Sequence, residues 1–420
     1  MTPPSCPSGR QVRRRWGGAA VAVAALAGTV ILPSSAQAAV PASWVDEQVS
    51  FILGDQLPSG AITSFDTKIT PYFANVAALG LLDANTAPSR AGALKWMQWY
   101  LGHLNVAGPN VPANSVFDYT YDAATKTETP TGDFDSVDSY ASTTLNLAFK
   151  AFSSGDPVLQ NFVSTNIAKY EAVANLLNFG GPTGVRIETG PASGLTIAKP
   201  SYAVAYTMDN AEVYSGLADF ARLETALGRS AQSSYYDSWA TTTRDSILSK
   251  LWNPAKNNWD WAFANQSNIG VFYAQATAQL WPILYGVVAP TDPKAISAWS
   301  QFSAAYPTWY SGGIPDGFPW VSISRVAQLM GDTAHADAYL TNVHSRYAPG
   351  FTLPTSCGVA TCGRWYNNEA GWFISASVAS PPAVAVAVAN RNSRLCRTDA
   401  HSGAGGGLDR ARERACRSHR

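Results

Sequence analysis

The chain has 420 residues and a formal net charge of zero, but the charge is unevenly distributed. Residues 1–38 contain four arginines and no acidic residue, residues 391–420 have a net charge of +5, and the body from 39 to 390 has a net charge of −9. An acidic body repels phosphate groups, so we expect that the protein does not bind nucleic acid through its phosphates.

The first 38 residues have the three-part layout of a secretory signal peptide. A basic patch ending at Arg15 precedes an apolar run over 17–32, and a polar stretch then ends in an Ala-Gln-Ala triplet at 36–38. The apolar run of about 16 residues is shorter than the roughly 20 residues that span a bilayer. We therefore expect cleavage between Ala38 and Ala39, a secreted protein, and no stable insertion into a membrane.

Apolar residues recur at helical spacing along the body of the chain, and capping residues mark the helix ends. The pattern predicts twelve helices, at 42–54, 70–82, 87–104, 135–153, 156–178, 207–227, 230–251, 274–287, 292–305, 319–330, 333–347 and 368–379. Very short turns, such as Ser154-Gly155 and Gly228-Arg229, connect several of them, and short connections make consecutive helices antiparallel neighbours. The sequence therefore predicts an all-α domain of six helical hairpins over 39–380.

Three longer connections, at 116–130, 184–206 and 252–266, contain the alternation of apolar and polar residues that is typical of strands. We expect these connections to form small β-hairpins. Because the helices form the body of the domain, the hairpins should lie across one of its faces.

Polar and aromatic residues cluster at the start of every second predicted helix. The clusters lie at 71–75, 135–140, 209–214, 277–281, 316–320 and 368–372. If the even-numbered helices form an inner ring, all six clusters converge on one rim. Segments that meet at one face of a scaffold commonly build a binding site.

Four of these clusters carry a resemblance to known proteins. They read Pro71-Tyr72-Phe73-Ala74-Asn75, Asp135-Ser136-Val137-Asp138-Ser139-Tyr140, Met208-Asp209-Asn210-Ala211-Glu212-Val213-Tyr214 and Asn368-Glu369-Ala370-Gly371-Trp372. Over most of residues 42–379 the chain resembles the six-hairpin glycosidase superfamily, which includes glucoamylases, endoglucanases and unsaturated uronyl hydrolases. The resemblance implies an (α/α)6 toroid, a carbohydrate substrate, and inner helices that begin at the face of the substrate cleft.

Glycoside hydrolysis needs two carboxyl groups, one to protonate the leaving oxygen and one to activate water or attack the anomeric carbon. We favour Asp138 as one of them, because it lies one turn into its helix beside Tyr140, and Asp135 is the second choice. Glu369 is the expected partner, since the small Ala370 and Gly371 after it would let a substrate approach. The remaining candidates are Asp209 and Asp316.

A structural role for these acids stays open. The pairs Asp135/Asp138 and Asp209/Glu212 have the spacing of a helix N-cap and an acid at the third helical position. Such a capping acid contributes roughly 1 kcal/mol of stability without any catalysis.

We expect substrate contacts from polar and aromatic residues near the predicted rim. These residues are Tyr72, Tyr140, Asn210, Glu212, Tyr214, Trp261, Trp320 and Trp372. The scattered histidines form no metal-binding pair, and no phosphate-binding or dinucleotide motif occurs in the required context. We therefore expect no metal and no cofactor, and we expect the protein to be a monomer.

Two further features lie near the C-terminus. Cys357 and Cys362 enclose a loop of four residues that an oxidising compartment would close as a disulfide. Residues 381–420 have a composition that cannot bury a core, so we expect a disordered basic tail. Two interpretations of this segment stay open. It is either a tail that binds anionic surfaces or the result of a loss of the natural reading frame near 377–383.

Two other functions remain compatible with this pattern. One is a polysaccharide lyase that uses a tyrosine as its base. The other is a carbohydrate-binding toroid that keeps the aromatic residues but lacks a productive pair of acids. The geometry of the carboxyl groups distinguishes these functions, because hydrolysis needs two acids that face one cleft.

Overall fold

The computed structural model describes residues 40–64, 67–347 and 365–379. Within these ranges the chain forms thirteen α-helices joined by loops and short strands. The helices are α1 (Ala42–Asp55), α2 (Pro71–Ala84), α3 (Ala87–Gly102), α4 (Val137–Ser153), α5 (Pro157–Thr165), α6 (Ile167–Asn178), α7 (Thr207–Ala226), α8 (Ser230–Lys250), α9 (Trp281–Leu284), α10 (Pro293–Ala305), α11 (Ser322–Leu329), α12 (Thr333–Arg346) and α13 (Asn367–Val378). Ten of the twelve predicted segments are single helices, with ends that shift by a few residues.

Local sequence accounts for several helix ends. The Thr86 side chain accepts from the backbone N–H of Ser89, and the Ser89 side chain accepts from the backbone of Thr86, which makes a capping box for α3. Asp156 and Asp292 cap α5 and α10, and in both helices a proline follows the cap directly. These signals explain why the predicted starts of these helices are close to the observed ones.

Two predicted helices are interrupted in the structure. The segment predicted at 156–178 divides into α5 and α6 at Asn166, whose side-chain amide donates to the carbonyl of Phe162 and so competes with the helical backbone. The segment predicted at 274–287 is a π-helical turn at Phe272–Ala276, a 3-10 turn at Thr277–Gln279 and the short α9. Pro282 lacks the N–H that a continuous helix would need there.

Six helices form a closed inner ring. Helix α2 packs on α4, α4 on α7, α7 on α9, α9 on α11, α11 on α13, and α13 packs back on α2. The helices that alternate with these along the chain pack on them from outside, as α3 does on α2 and α8 on α7. The predicted (α/α)6 toroid is confirmed, and its inner ring consists of every second one of the twelve predicted segments, beginning with the second.

Glycines allow the inner helices to approach each other closely. A Cβ atom on Gly80 of α2 would lie 2.5 Å from Cα of Gly371 on α13, and a Cβ on Gly216 of α7 would lie 2.5 Å from the carbonyl oxygen of Ser142 on α4. The expectation that Gly371 makes room for a substrate is therefore wrong. Its missing side chain makes room for α2.

Short strands form two small sheets. The strands are β1 (Lys68–Ile69), β2 (Tyr119–Asp122), β3 (Thr127–Pro130), β4 (Trp252–Asn253) and β5 (Asn258–Trp259). All pairs are antiparallel, with β1-β2-β3 in one sheet and β4-β5 in the other. The hairpins expected within 116–130 and 252–266 are thus present.

The connection at 184–206 forms isolated bridges instead of strands, at Arg186↔Thr196 and Lys199↔Tyr202. The buried guanidinium of Arg186 donates to the carbonyls of Leu177 and Gly194, so side-chain bonds replace part of a regular ladder. Pro191 and Pro200 add positions without a backbone donor.

Three predictions concern residues outside the described ranges. They are the signal peptide at 1–38, the Cys357–Cys362 disulfide and the tail at 381–420. None of the described helices has both the length and the apolar character needed to cross a membrane.

Candidate active site

A cavity of about 750 Å³ opens at the N-terminal ends of the inner helices. Each inner helix contributes a residue from its first turns to the lining. These residues are Tyr72 of α2, Ser139 of α4, Asp209 of α7, Trp281 of α9, Ser322 of α11 and Glu369 of α13. The convergence expected from the sequence clusters is therefore seen in the lining of one cavity.

Asp209 and Glu369 line this cavity from opposite sides of the ring. Asp209 is in the first turn of α7, and Glu369 is in the first turn of α13. Helices α4 and α2 separate α7 from α13 on one side of the ring, and α9 and α11 separate them on the other. Two acids on opposite inner helices can therefore act on the two faces of a group held between them.

The chain around Asp209 favours the protonated acid. Burial raises the pKa of Asp209 well above its usual value, and the negative charges of Asp138, Glu212 and Asp135 raise it further. Oδ2 of Asp209 lies 3.2 Å from the Ser136 hydroxyl, at the start of α4. Asp209 does not cap a helix, since the N-cap of α7 is Tyr206 and no side chain caps that end.

Glu369 is oriented by two donors. The backbone N–H of Val321 donates to Oε2 at 2.7 Å, and the side-chain amide of Asn368 donates to Oε1 at 3.0 Å. Burial raises the pKa of Glu369 to about 8, although the bond from Val321 offsets part of the rise. Because an N–H group only donates, both contacts stabilise the ionised form, while burial makes that carboxylate a stronger base than an exposed one.

Glu212 forms a third buried acid, one turn beyond Asp209. Its Oε1 accepts hydrogen bonds at 2.8 Å from the hydroxyl of Tyr72 and the indole N–H of Trp281. Burial raises its pKa to about 7, and hydrogen bonds from Ser139, Trp281 and Tyr72 offset part of that rise. The carboxyl group of Glu212 therefore joins α2, α7 and α9 at the base of the cavity.

Asp316 orients Trp320, an aromatic residue of the cavity lining. It accepts a hydrogen bond at 3.0 Å from the backbone N–H of Phe318 and another at 3.0 Å from the indole N–H of Trp320. The Trp320 ring lies 5.8 Å from that of Trp281 in edge-to-face contact and 5.4 Å from that of Tyr273. Asp316 thus fixes the orientation of the Trp320 ring beside the acids.

Comparison with known proteins supports the architecture. No family model and no curated protein matches the chain. Among solved structures, a glycosidase variant in complex with glucose is 14% identical with a TM-score of 0.53, covering 80% of this chain and 96% of its own. The chain has the six-hairpin glycosidase fold.

Two further solved structures have the same toroid. A GH76 α-mannanase from Bacteroides thetaiotaomicron is 14% identical, with a TM-score of 0.55 and coverage of 80% of this chain and 95% of its own. A GH63 mannosylglycerate hydrolase from Thermus thermophilus is 11% identical, with a TM-score of 0.54 and coverage of 79% and 98%. At these identities the likeness concerns the toroid itself.

Eight of the thirteen side chains predicted to form the site line the toroid's cavity. They are Asp135, Asp209, Asp316, Glu369, Tyr72, Glu212, Trp320 and Trp372. The other five, Asp138, Tyr140, Asn210, Tyr214 and Trp261, are not in the lining, and four of these support or border it from behind.

Asp138, the favoured catalytic acid, is fully buried one layer behind the lining. Its Oδ1 accepts from the hydroxyl of Ser136 at 2.6 Å and the backbone N–H of Ser139 at 3.0 Å, and its Oδ2 accepts from the hydroxyl of Thr196 at 2.7 Å. Ser136, and not Asp135, is the side-chain cap of α4. The structure therefore gives Asp138 no contact with the cavity and places Ser136 in front of it.

Tyr140 also lies behind the lining. Its hydroxyl donates to Oδ1 of Asp118 at 2.6 Å and accepts from the backbone N–H of Asp135 at 3.0 Å. Burial raises the pKa of Asp118 to about 6. Tyr140 therefore positions the segment that carries Asp135. Asp118 supports Tyr140, and no sequence pattern singled it out apart from its place just before β2.

The remaining three side chains have other roles. Asn210 bonds to both backbone groups of Thr196, accepting at 2.8 Å and donating at 3.2 Å. The Trp261 ring lies 5.6 Å from that of Tyr206 and supports it. Tyr214, five residues beyond Asp209, lines a different cavity of about 700 Å³ between α7, α8 and the segment after α9.

Several lining residues were not among the predicted site residues. Tyr202 and Tyr273 are 50% and 62% exposed, so they form an aromatic rim that a ligand could cover. The hydroxyl of Tyr206 donates to that of Tyr202 at 3.2 Å. Only their positions in the chain could have indicated this role. Tyr202 lies in the long connection at 184–206, and Tyr273 lies at the start of an inner-ring segment.

Proposed function

We propose that this protein is a glycoside hydrolase that uses Asp209 and Glu369. The observation that carries the proposal is the placement of these two acids in the first turns of opposite inner helices, facing one cavity. Glycoside hydrolysis requires two carboxyl groups on either side of the scissile bond. The glycosidases that have the same fold support this chemistry.

Asp209 is assigned as the proton donor. Its pKa is raised by burial and by three neighbouring acids, so it retains a proton at a pH where an exposed aspartate has lost it. As the bond to the anomeric carbon breaks, its electron pair goes to the leaving oxygen, and the proton of Asp209 joins that oxygen. This is the general-acid half of the reaction.

Glu369 is assigned as the base or nucleophile on the opposite side. Val321 and Asn368 hold its two oxygens in a fixed orientation and stabilise the charge it must carry. Either it removes a proton from water or it attacks the anomeric carbon directly. The anomer formed first, observed by NMR during turnover, distinguishes these two courses.

The charges of the lining favour an uncharged sugar. Five carboxyl groups line the cavity, and the ammonium of the lining residue Lys199 bonds to both oxygens of Asp133 at 2.9 Å and to the carbonyl of Phe134 at 2.6 Å. A uronate would bring a further negative charge beside these acids. This arrangement favours hydrolysis over the lyase alternative, whose substrate is a uronate.

The experiment compares Asp209→Asn and Glu369→Gln on two substrates of one sugar, a natural glycoside and one with a nitrophenyl leaving group. Hydrolysis of the natural glycoside should fall by about 100- to 10,000-fold in both variants. Only Asp209→Asn should keep activity on the nitrophenyl substrate, because that leaving group needs no proton. Asp245→Asn, an exposed acid on the outer helix α8, is the matched control.

Two outcomes would contradict the proposal. Activity of both variants within a few-fold of the parent would remove these acids from the mechanism. Tight binding of oligosaccharides by the parent, without release of reducing ends from any member of a glycan panel, would make the protein a binding toroid instead.

We also propose that the protein is exported and acts as a monomer. Export rests on the signal-peptide layout of residues 1–38. The monomer rests on the lining of the cavity, since all six inner helices of a single chain contribute to it.

A further inference from the structure

We propose that Ser136 and Asp138 are positioning residues that keep the catalytic proton on Asp209. The Ser136 hydroxyl donates to Asp138 while Asp209 is protonated, and it turns to Asp209 once Asp209 has released its proton. This inference rests on the proposed function, because it concerns the proton donor of that reaction.

The argument begins with the single proton of the Ser136 hydroxyl. Its oxygen lies 2.6 Å from Oδ1 of Asp138 and 3.2 Å from Oδ2 of Asp209. A serine hydroxyl has one proton to donate. The hydroxyl proton lies in the shorter contact, to Asp138. The Ser136 oxygen can therefore form a hydrogen bond with Asp209 only as an acceptor, which requires Asp209 to carry a proton and donate it.

Asp138 is held as the ionised member of the pair. Besides Ser136, it accepts from the backbone N–H of Ser139 at 3.0 Å and from the hydroxyl of Thr196 at 2.7 Å. Burial lowers the pKa of the neighbouring Arg186 to about 10, and the charge of Asp138 offsets part of that shift. Burial raises the pKa of Asp138 to about 6, and the three donors offset part of that rise, so Asp138 is the carboxylate of the pair above that pH while Asp209 keeps its proton.

The other groups that face Asp209 are acids or phenols. Glu212 lies on the same helix, Asp135 precedes α4, and Tyr206 and Tyr273 approach from the two loops that border the cavity. Burial raises the pKa of Asp135, and the positive charge of Lys199 offsets part of that rise. Among these neighbours, the charge of Asp138 is the largest electrostatic contribution that raises the pKa of Asp209.

Rotation of the Ser136 hydroxyl lets it donate to Asp138 while Asp209 is protonated and to Asp209 once that residue is ionised. When the proton of Asp209 has moved to the leaving oxygen, Asp209 is a carboxylate, and the O–H of Ser136 turns toward it. Asp138 then keeps its bonds from Ser139 and Thr196. A proton from solvent restores Asp209, and the hydroxyl returns to Asp138. Asp138 thus acts through Ser136 and never contacts the substrate.

The first test is the pH profile of Asp138→Asn, which removes the charge and keeps the size of the side chain. The alkaline limb of kcat/KM, where Asp209 loses its proton, should move to lower pH by roughly one unit, because one neighbouring like charge is gone. The acid limb, set by Glu369, should stay in place. An unmoved alkaline limb would overturn the inference.

The second test keeps every charge and changes the hydroxyl. Ser136→Ala should lower kcat by about 10-fold with little change in KM, because the ionised Asp209 loses its donor. Ser136→Thr, which retains a hydroxyl, should recover most of the rate. Thr86→Ala, which removes the cap of α3 far from the cavity, controls for the loss of a helix cap.

These results separate the inference from the proposed function. If Asp209→Asn abolishes hydrolysis while Ser136→Ala matches the parent, the function stands and the role of Ser136 is wrong. If Asp209→Asn is active, the function itself is wrong. If Asp138→Asn does not fold, the comparison of Ser136→Ala with Ser136→Thr decides the inference.

Discussion

Gly80 of α2 and Gly371 of α13 meet backbone to backbone, where the first and last helices of the inner ring close the toroid. A Cβ on Gly371 would lie 2.5 Å from the carbonyl oxygen of Val76 and 2.8 Å from Cα of Ala77. Both are backbone atoms of α2, so they cannot move aside as the end of a flexible side chain could. The backbones of α2 and α13 are therefore in close contact two residues beyond Glu369.

Replacement of Gly371 by alanine should destabilise the protein by about 1–3 kcal/mol, as is typical of overpacking a tight interior. Urea unfolding measures this change. Gly54→Ala is the matched control, since a Cβ on Gly54 of α1 meets no atom within 4 Å. The control should be neutral or stabilise by up to about 1 kcal/mol, because alanine favours a helix more than glycine does. Equal effects at the two positions would contradict this interpretation of the close contact.

Stability should fall as the pH rises from about 4.5 to 8. The pKa of Glu369 is raised to about 8 and that of Glu212 to about 7, so the folded protein holds protons that the unfolded chain releases near 4.5. Such groups stabilise the fold fully below the pKa of the unfolded chain, and that contribution is lost as the pH rises through the folded value. Melting temperatures across this range should decrease, and Glu212→Gln should flatten the decrease. A melting temperature that rises steadily from pH 5 to 8 would speak against these buried protons.

The acid limb of activity should lie well above the usual carboxyl range. Glu369 must be ionised to act, and burial raises its pKa to about 8. We therefore expect kcat/KM to increase with pH through the region approaching 8, measured on a neutral glycoside. A profile that is already flat at pH 5 would show that Glu369 is not the base.

The exposed Tyr273 should contribute to binding more than to catalysis. Its ring is tilted at 36° to the ring of Trp320, which Asp316 fixes in place. Tyr273→Ala should raise KM by about 5-fold with a small change in kcat, because stacking area is lost while the acids stay in place. Tyr273→Phe should resemble the parent. Tyr235→Ala, on the outer helix α8 and 40% exposed, should leave both constants unchanged.

The exported protein should begin at Ala39 and contain a disulfide between Cys357 and Cys362. N-terminal sequencing of secreted protein, and alkylation of the denatured but unreduced chain, measure the two features. Retention of residues 1–38 in the secreted form would contradict the first prediction. Alkylation of both cysteines without prior reduction would contradict the second.

Much of the fold could be predicted from the sequence, because helical periodicity and caps are local signals. The break within 274–287 could have been inferred from Pro282, which cannot continue a helix. Which of Asp138 and Asp209 lines the cavity could not be inferred from the sequence. Asp138 is the second residue of α4 and Asp209 the third of α7, and each residue turns a side chain by about 100° around the helix axis.

That rotation decides which acid faces the cavity. It depends on where each helix begins to within one residue and on how the helix rolls against its neighbours. Tertiary packing sets both, so a spacing pattern alone cannot assign the catalytic acid. Tyr214 shows the same limit along the helix axis, since five residues of helical rise place it at a different cavity from Asp209.

Closure of the ring also fixes when the site comes into existence. Asn367 bonds to Asp55 at 3.0 Å and to the carbonyl of Thr63 at 2.7 Å, and Ser375 bonds to Asp83 at 2.6 Å, so the last helix is fastened to the first hairpin across about 300 residues of chain. Contacts between such distant segments form late in folding. Among the described helices α13 is synthesised last, so a nascent chain that ends before residue 369 lacks Glu369. The proposed pair of Asp209 and Glu369 is therefore assembled only when α13 packs against the first hairpin.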